Sequence, residues 1–365
     1  YWAQNQLAHY TDSQIGWIPS VFVFLSLLLG VQFGPLFDRY GPRWINLIAS
    51  AGYVVCLVLL AECTEYWQFM LTLGVWGGVC CAALSTTGLA VLSHWFRMRR
   101  GLANGIAMAG SSCGGVAFPL ILRPALDQLG WKWSMRLIAL VVLVLTAVAN
   151  LLIRGRLPVG KRSGAIDPRC LRDSRLAWAA VGTFCLEFTL FGSLGLIPTY
   201  AIGQGFSNQT AFIIIAVLNA GSAVGRYASG ILADMYGHFN TMGLMIASSI
   251  IVIAGVWFSV GHKLAVLYLF AVLFGAFTGG YISLAPSCIG QICTADRFGE
   301  VFGTCYCVVS FANLLTIPIG GEVLKAAGSE VLIGVMVLSA GIALVSFSMA
   351  RWACLDYKWK WAIKI

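Results

Sequence analysis

Charged residues are scarce in this sequence. They make up 10% of its 365 residues, whereas soluble domains carry about 25%. Hydrophobic residues make up 59% of the chain, and the mean hydropathy is +0.85. Apolar runs of about twenty residues recur along the sequence, and this is the length that an α-helix needs to cross a bilayer. The composition therefore excludes a soluble globular protein and predicts an all-α integral membrane protein.

The usual patterns of enzyme chemistry are also missing. We find no Ser-His-Asp arrangement, metal-ligand cluster or nucleotide motif, so we expect no enzyme activity, no cofactor and no metal. The stretch 101–115 is rich in glycine but lacks the G-K-[ST] ending of a phosphate loop, and it indicates close helix packing. The twelve cysteines do not form a disulfide framework, since most fall within apolar runs, and we interpret them as small packing residues.

The net charge of +9 comes from basic residues that cluster in alternate loops. If the loop 34–43 is cytoplasmic, the inside loops and tail hold 17 basic residues and the outside loops hold 5. This bias is typical of a membrane protein with a fixed orientation, not of a nucleic-acid-binding protein. We therefore expect the lipid bilayer, and no nucleic acid, among the partners.

A short segment recurs at about half the chain length. Residues 34–43 read G-P-L-F-D-R-Y-G-P-R, and residues 230–237 read G-I-L-A-D-M-Y-G. Gly34, Asp38 and Gly41 each have a counterpart 196 residues later. A second repeat, G-x-x-x-G at 101–105 and at 299–303, has an offset of 198. Two motifs that recur at nearly the same offset predict two similar halves.

The residue types of this segment suit a helix end that contacts another helix. Gly34 and Gly230 remove a side chain where two helices must approach closely. Asp38 can accept hydrogen bonds from the free N–H groups at another helix's N-terminus. An ordinary charged loop with a turn is the alternative. The residues that we predict to control conformation are Gly34, Asp38, Arg39, Gly41, Arg43, Gly230, Asp234 and Gly237.

Eleven membrane spans are predicted, five before a long polar linker and six after it. The spans are approximately 16–37, 44–61, 66–92, 102–122, 133–153, 176–200, 210–233, 241–260, 264–289, 301–324 and 331–352. Alignment of the halves leaves the first half one helix short, so we expect a fragment of a twelve-helix protein. The predicted domains are an N-terminal bundle 1–153, a cytoplasmic linker 154–175, a C-terminal bundle 176–352 and a cytoplasmic tail 353–365.

Residues 34–43 resemble the loop signature of the major facilitator superfamily. The stretch 95–115, W-F-R-M-R-R-G-L-A-N-G-I-A-M-A-G-S-S-C-G-G, is similar to the fifth-helix signature of the monocarboxylate-porter family. Fungal members also resemble the opening Y-W-A-Q-N-Q-L and the run G-R-Y-A-S-G-I-L-A-D at 225–234. The resemblance covers essentially the whole chain. It implies a major facilitator fold of two six-helix bundles, with eleven of the twelve helices present.

The resemblance also implies a function. Family members move small carboxylates, or in fungal relatives other solutes such as riboflavin, often with protons. They work by alternating access between two halves, and the Asp38 loop would latch one state at the cytoplasmic face. We expect a monomeric symporter in the plasma membrane. A facilitator for riboflavin or a secondary metabolite, and a non-transporting receptor with the same fold, remain alternatives.

One departure from the family concerns the proton step. In some animal members an Asp stands four residues before the arginine of the eighth helix. In this chain Ser222 stands at that distance before Arg226. The resemblance therefore does not imply, for this chain, a proton step that relies on that Asp.

Arg226 is the first candidate for substrate binding. It lies within an apolar span, eight residues before Asp234, and so about 12 Å from the cytoplasmic helix end. A charge at this depth costs at least about 2.5–3.5 kcal/mol, so it should face a partner or a wet cavity. A guanidinium group can bind a carboxylate through two parallel hydrogen bonds. A structural arginine bonded to backbone carbonyls is the alternative.

Glu187 and Asn219 complete the predicted substrate site. Glu187 is the acid that lies deep within a span, at a depth similar to that of Arg226. We hypothesise that the two pair when the site is empty, and that an anionic substrate or a proton separates them; a purely structural Glu187 is the alternative. Asn219 precedes Arg226 by seven residues and shares its helix face. The histidines at span ends, which are His94, His238 and His262, are expected to be solvated.

Overall fold

The computed structural model describes residues 2, 5–96, 99–156, 168–203, 205–257, 263–358 and 363. Within these ranges the regular structure is helical, with no strand. Arg97, His262, part of the predicted linker (157–167) and most of the end of the tail (359–362 and 364–365) lie outside the described residues.

In the first half of the chain, the described residues form six α-helices. Helix α1 (Asp12–Leu28) begins after Thr11, whose side chain caps the first turn. Leu29, which separates α1 from α2, is itself in a helical conformation, so the two helices are nearly continuous. The other elements are α2 (Gly30–Tyr40), α3 (Pro42–Leu60), α4 (Tyr66–Phe69), a π-helical segment (Met70–Gly77), α5 (Gly78–Trp95) and α6 (Arg100–Leu152).

In the second half, five α-helices lie within the part of the chain that the structure describes. They are α7 (Ser174–Gly203), α8 (Asn208–Tyr236), α9 (His238–Val252), α10 (Leu264–Ile292) and α11 (Phe298–Cys354). A π-helical segment (Ile253–Trp257) continues α9. The backbone of α6 is interrupted at Gly130 and that of α11 at Gly328, so each of these elements supplies two of the predicted spans.

Nine helices of the described residues are long and apolar enough to cross a membrane. One of them, α6, covers two predicted spans because of its break. Helix α8 is not among the nine, but it has 29 residues and carries Arg226 and Asp234. Within the described residues, each of the eleven predicted spans thus corresponds to a helical segment, with its ends shifted by a few residues; the last residues of the span 241–260 (258–260) lie outside the described residues. The prediction of an all-α membrane protein is confirmed.

Four glycines with positive φ mark equivalent points in the two halves. Gly41 (φ 74°) separates α2 from α3, and Gly237 (φ 99°) separates α8 from α9. The breaks at Gly130 (φ 70°) and Gly328 (φ 83°) are 198 residues apart, the offset of the second sequence repeat. A residue with a Cβ is strained at such φ values, which explains glycine at these turns. The backbone therefore reproduces the repeat predicted from the sequence.

The chain divides into two compact units that follow helix contacts and not the order of the sequence. The first unit contains Tyr1–Trp95, Phe118–Pro168 and Ala295–Leu314. The second contains Phe96–Ala117, Arg169–Thr294 and Leu315–Ile365. Each unit thus includes one segment from the other half of the sequence. The predicted domain boundaries describe the sequence repeat, and they stay a prediction.

Each unit has its own apolar core. In the first unit, Leu57, Phe69 and Met135 belong to one buried cluster. In the same unit, Lys132 and Arg136 contact Glu62 at 2.8 and 2.7 Å, and these hydrogen bonds lower the pKa of the Glu62 carboxyl.

The core of the second unit fixes the position of α8. Leu218 belongs to a buried cluster with Trp257, Phe270 and Phe274. Helix α8 also approaches α10 closely, because a Cβ at Gly225 would overlap the carbonyl oxygen of Ala276. The glycines leave no room for α8 to rotate against α10, so the direction of the Arg226 side chain is set by the packing of this unit.

Candidate functional site

Arg226 is buried in the second unit, with 9% of its surface exposed. Its Nε donates to the Ser222 hydroxyl at 3.1 Å, one helical turn earlier. Its Nη1 donates to the carbonyl oxygen of Met108 at 2.6 Å and to the hydroxyl of Ser111. Both Met108 and Ser111 belong to α6. The guanidinium group is therefore held in a fixed orientation by oxygens from two helices.

A second pair of hydroxyls lies beside this arginine. Ser112 of α6 donates to Ser222 at 3.2 Å, and both side chains are buried. Gly105, one to two turns earlier on α6, allows close contact because a Cβ there would meet the backbone of Arg226. Helices α6 and α8 thus approach closely enough for serine hydroxyls to surround a charged group in an apolar region.

One edge of the guanidinium group keeps its hydrogen-bonding capacity. Among the described residues, no protein acceptor is found for Nη2 of Arg226. An arginine carries five N–H donors, so donors remain beyond those used in these three hydrogen bonds. An oxygen of a water molecule or a bound anion could accept from them. The arginine thus has a structural role between α6 and α8, and its role in substrate binding stays a prediction.

Glu187 lies in α7 and is buried, with 7% exposure. Its carboxylate and the Arg226 guanidinium interact electrostatically. No ion pair within 4.0 Å joins them in the part of the chain that the structure describes, and the hydrogen bonds of Arg226 go to oxygens of α6 and α8. The hypothesis of a direct pair is therefore replaced by a charge interaction through space. The role of Glu187 in binding stays a prediction.

Tyr281 is the buried aromatic residue next to Glu187. It belongs to α10, and its ring is 1% exposed. Its hydroxyl is 3.5 Å from the carbonyl oxygen of Leu186, and it interacts electrostatically with Glu187. Residues of α7, α8 and α10 thus come together around the acid.

Asn219 lies farther along the same face of α8. Its amide nitrogen donates to the carbonyl oxygen of Ile215 at 3.1 Å. Its amide oxygen is 3.0 Å from the position that a Cβ at Gly115 would take. Asn219 therefore packs against α6, as Arg226 does, while one of its donors is used within its own helix. Its role in substrate binding also stays a prediction.

Asp234 contacts the first turn of α6. Its two carboxylate oxygens accept from the backbone N–H of Gly101 at 2.9 Å and of Leu102 at 3.0 Å. These N–H groups have no acceptor within their own helix, and the helix dipole favours a negative charge at this end. The aspartate thus joins a segment of the second half of the sequence to one of the first half, within the second unit.

Asp38 makes the equivalent contact in the first unit. Its Oδ2 accepts from the backbone N–H of Glu300 at 3.0 Å, in the first turn of α11. The predicted contact of Asp38 with another helix's N-terminus is therefore found. The predicted gating role of this loop is a separate matter and stays a prediction.

Glycines permit both of these contacts. A Cβ at Gly34 would overlap the carbonyl oxygen of Gly299, and a Cβ at Gly230 would lie 2.6 Å from that of Gly101. The two sequence repeats, 34–41 with 230–237 and 101–105 with 299–303, therefore contact each other crosswise. This pairing explains why the offsets of 196 and 198 occur together.

Arg39 and Arg43 are exposed at the ends of α2 and α3. The Arg39 guanidinium lies over the ring of Tyr40, at 5.0 Å from its centroid. Their predicted position on the cytoplasmic side is compatible with this exposure, and their predicted conformational role is untested.

The interpretation of His238 as a solvated histidine is wrong. It is 7% exposed, and its Nε2 lies 3.8 Å from Oδ1 of Asp234. Its Nδ1 is 3.2 Å from the amide of Gln291 on α10. Its counterpart 196 residues earlier is Pro42, so the sequence repeat gave no indication of this contact. His94 is half-buried and lies against the ring of Phe37.

The serines around Arg226 were not predicted as site residues. In the sequence, Ser222 stands out only as a departure from the family pattern, and Ser111 and Ser112 fall within the glycine-rich stretch 101–115. A signal for them was present, since the repeat G-x-x-x-G at 101–105 marks α6 as the helix that packs closely. The partner helix of α6 was not identified from the sequence, so the serines could not be assigned to Arg226.

Comparisons with known proteins agree with this architecture. The sequence model described as Major Facilitator Superfamily matches residues 4–263. The chain is 29% identical to the riboflavin transporter MCH5 of Saccharomyces cerevisiae, over 97% of this chain and 73% of that protein. It is 32% identical to the aspyridones efflux protein apdF of Emericella nidulans, over 95% of this chain and 73% of that protein.

A solved structure shows the same fold. The crystal structure of FucP, a Major Facilitator Superfamily transporter in the outward conformation, matches with a TM-score of 0.75 at 17% identity. The match covers 94% of this chain and 91% of FucP. The family match spans residues 4–263, and the helices and the crosswise glycine contacts extend over both halves. This multi-pass integral membrane protein belongs to the Major Facilitator Superfamily of transporters.

Proposed function

We propose that this transporter is a secondary active carrier of a small, monocarboxylate-like organic anion in the plasma membrane. It would work by alternating access and couple the anion to a proton. The observation that supports this proposal is the buried Arg226, which is oriented by oxygens of α6 and α8 and keeps Nη2 available.

The charge of this site favours an anion as substrate. A carboxylate could accept from Nη2 of Arg226, and nearby serine hydroxyls could supply further donors. Binding of one negative charge would offset the cost of a buried guanidinium group. Because the three hydrogen bonds already made hold the arginine in place, little side-chain entropy would be lost on binding.

Glu187 is the candidate for the proton step. A carboxylate substrate next to Arg226 would bring a second negative charge close to Glu187. Two acids near one guanidinium group favour protonation of one of them. Protonation of Glu187 would therefore accompany anion binding, without the Asp that Ser222 replaces.

Transport also requires that contacts at one end of the helices break. The candidates are the contacts of Asp38 with Glu300 and of Asp234 with Gly101 and Leu102, since each joins the two halves of the sequence. Charge–dipole contacts of this kind are worth about 0.3–1 kcal/mol at an exposed site and up to about 2 kcal/mol where the group is partly buried, as the side chain of Asp234 is, with 13% exposure. They are therefore strong enough to bias a conformational equilibrium and weak enough to open during transport.

Uptake by the purified protein in proteoliposomes tests the function. We expect labelled lactate or pyruvate to accumulate inside vesicles when an inward proton gradient is imposed, and not when the gradient is collapsed. Accumulation of riboflavin in place of either acid would support the second candidate, which the name of the yeast relative favours. Binding of an acid without accumulation would indicate a receptor and would contradict transport.

Replacement of Asp38 or Asp234 by asparagine should weaken the contact of that residue with the N-terminus of the neighbouring helix. In Asp38→Asn we expect hydrogen–deuterium exchange of the amides around 299–303 to become roughly fivefold faster, because the charge–dipole contact is lost. In Asp234→Asn the same change is expected around 101–105. Asp173→Asn is the matched control, since Asp173 forms its ion pair with Arg175 two residues away. Unchanged exchange in both variants would argue against a conformational role of these two contacts.

A further inference from the structure

An apolar groove opens on the surface of the first unit. It encloses about 650 Å³ between α2, α3 and the segment from Leu71 to Ala83. Its walls include Phe33, Leu36, Ile48, Val75 and Trp76. Ile48 is 70% exposed and Trp76 is 48% exposed, so the groove is open on its outer side. This surface would face lipid in a membrane protein.

The polar atoms at the floor of the groove are already engaged. Gly52 has no side chain, and a Cβ there would lie 2.9 Å from Sγ of Cys80, so α3 packs closely against this wall. The indole N–H of Trp76 donates to the carbonyl oxygen of Gly52 at 3.0 Å. A polar solute would find few partners there, because burial of an unpaired polar group is unfavourable. A hydrocarbon chain suits these walls.

Charged and aromatic residues lie at one end of the groove. Arg39 follows the wall residue Leu36 by three positions, so the two lie on neighbouring parts of one helix face. Trp44 is 65% exposed and precedes the wall residue Ile48 by four positions. Arg43 is exposed in the first turn of α3. Aromatic and basic residues in this arrangement are typical of the membrane interface on the cytoplasmic side.

We propose that this groove binds an anionic phospholipid of the cytoplasmic leaflet. One acyl chain would lie along the groove, and the phosphate group would lie near Arg39 and Arg43. Basic pockets between membrane helices on the cytoplasmic side bind anionic headgroups in this way. A second copy of the chain fits less well, since a two-fold contact would bring a second pair of arginines to the same place. This site is separate from the proposed substrate site and does not depend on it.

Native mass spectrometry of the detergent-purified protein tests the proposal. The probes are dioleoyl phosphatidylglycerol and dioleoyl phosphatidylcholine at equal concentration. For the unmodified protein we expect one anionic lipid to bind more tightly than any phosphatidylcholine. In Arg39→Gln/Arg43→Gln that affinity should fall roughly tenfold, since each basic residue near the surface contributes to anionic-lipid binding.

Two tryptophan variants test the contribution of the groove while Arg39 and Arg43 are unchanged. Val75→Trp fills the groove and leaves both arginines, and it should remove the tightly bound phosphatidylglycerol. Leu140→Trp is the matched control, since Leu140 is exposed on α6 outside the groove, and it should bind the lipid normally. A single size-exclusion peak checks that each variant is folded.

Three results would overturn the proposal. The first is equal binding of the two lipids by the unmodified protein. The second is unchanged phosphatidylglycerol binding in both Val75→Trp and the arginine double variant. A dimer that dissociates in Val75→Trp would also contradict it, because the groove would then be covered by a second copy of the chain.

Discussion

Uptake should fall by about 10- to 100-fold when Arg226 is replaced by alanine. The substitution removes the guanidinium group and its hydrogen bonds to the oxygens of Met108, Ser111 and Ser222. Hydrogen bonds to charged groups contribute about 1.5–3 kcal/mol each, so the loss of one contact with the substrate explains a change of this size. The measurement is initial uptake into proteoliposomes at matched protein content. Arg226→Lys should also be impaired, because an ammonium group cannot reproduce the fork of donors.

Control variants distinguish the loss of the Arg226 charge from a general effect of removing an arginine. Arg136→Ala removes an exposed arginine that pairs with Glu62, and uptake should stay within twofold of the unmodified protein.

Glu187→Gln should retain binding of the anion but lose the dependence of uptake on the proton gradient. A double-mutant cycle of thermal stability for Glu187 and Arg226 should give a small coupling, about 1 kcal/mol or less, since no direct ion pair joins them. Normal, fully pH-responsive uptake in Arg226→Ala and Glu187→Gln would end the proposal.

Substitutions at Gly225 and at Gly34 should have different effects. The first should lower thermal stability, and the second should shift the conformational equilibrium. A methyl group at Gly225 would overlap the Ala276 carbonyl oxygen, and α8 and α10 both belong to the second half of the sequence. Forced separation of packed helices costs about 1–3 kcal/mol, so Gly225→Ala should melt at a clearly lower temperature. A methyl group at Gly34 would overlap the Gly299 carbonyl oxygen across the contact that transport is proposed to open. Gly34→Ala should therefore fold but favour the opened arrangement.

The measurements are thermal melting of the purified variants and hydrogen–deuterium exchange around 299–303. Gly110→Ala is the control, because nothing lies within 4 Å of a Cβ at that position of α6. It should melt at the same or a slightly higher temperature, since alanine is the better helix former. If Gly34→Ala destabilises the whole protein as strongly as Gly225→Ala, the first contact belongs to the permanent core and does not open.

Much of the fold could be predicted because its determinants are local. Apolar runs of fixed length define the spans, and the glycines at 41 and 237 define turns between them. The offset between Asp38 and Asp234 indicated two similar halves, and the acid at 38 indicated a helix N-terminus as its partner. These inferences need only the position of a residue along its own helix.

The candidate site could be predicted only in part, because it depends on how different helices face each other. The depths of Glu187 and Arg226 suggested a direct pair, yet the oxygens nearest to Arg226 belong to α6 and α8. Depth gives no information on helix rotation, and a rotation of a few tens of degrees decides which side chains meet. His238 was misjudged for the same reason, since its burial comes from its contacts with Asp234 and Gln291.

The crosswise glycine contacts affect how easily the helices can move past each other. Interlocked side chains must change rotamer before two helices can slide, whereas at Gly34 and at Gly230 the nearest atoms across the contact are backbone atoms of 299–300 and of 101–102. Displacement along such smooth surfaces meets little steric resistance and leaves no cavity that other side chains must fill. If these contacts open as proposed, low steric resistance there would leave the charged contacts of Asp38 and Asp234 as the main barrier to opening.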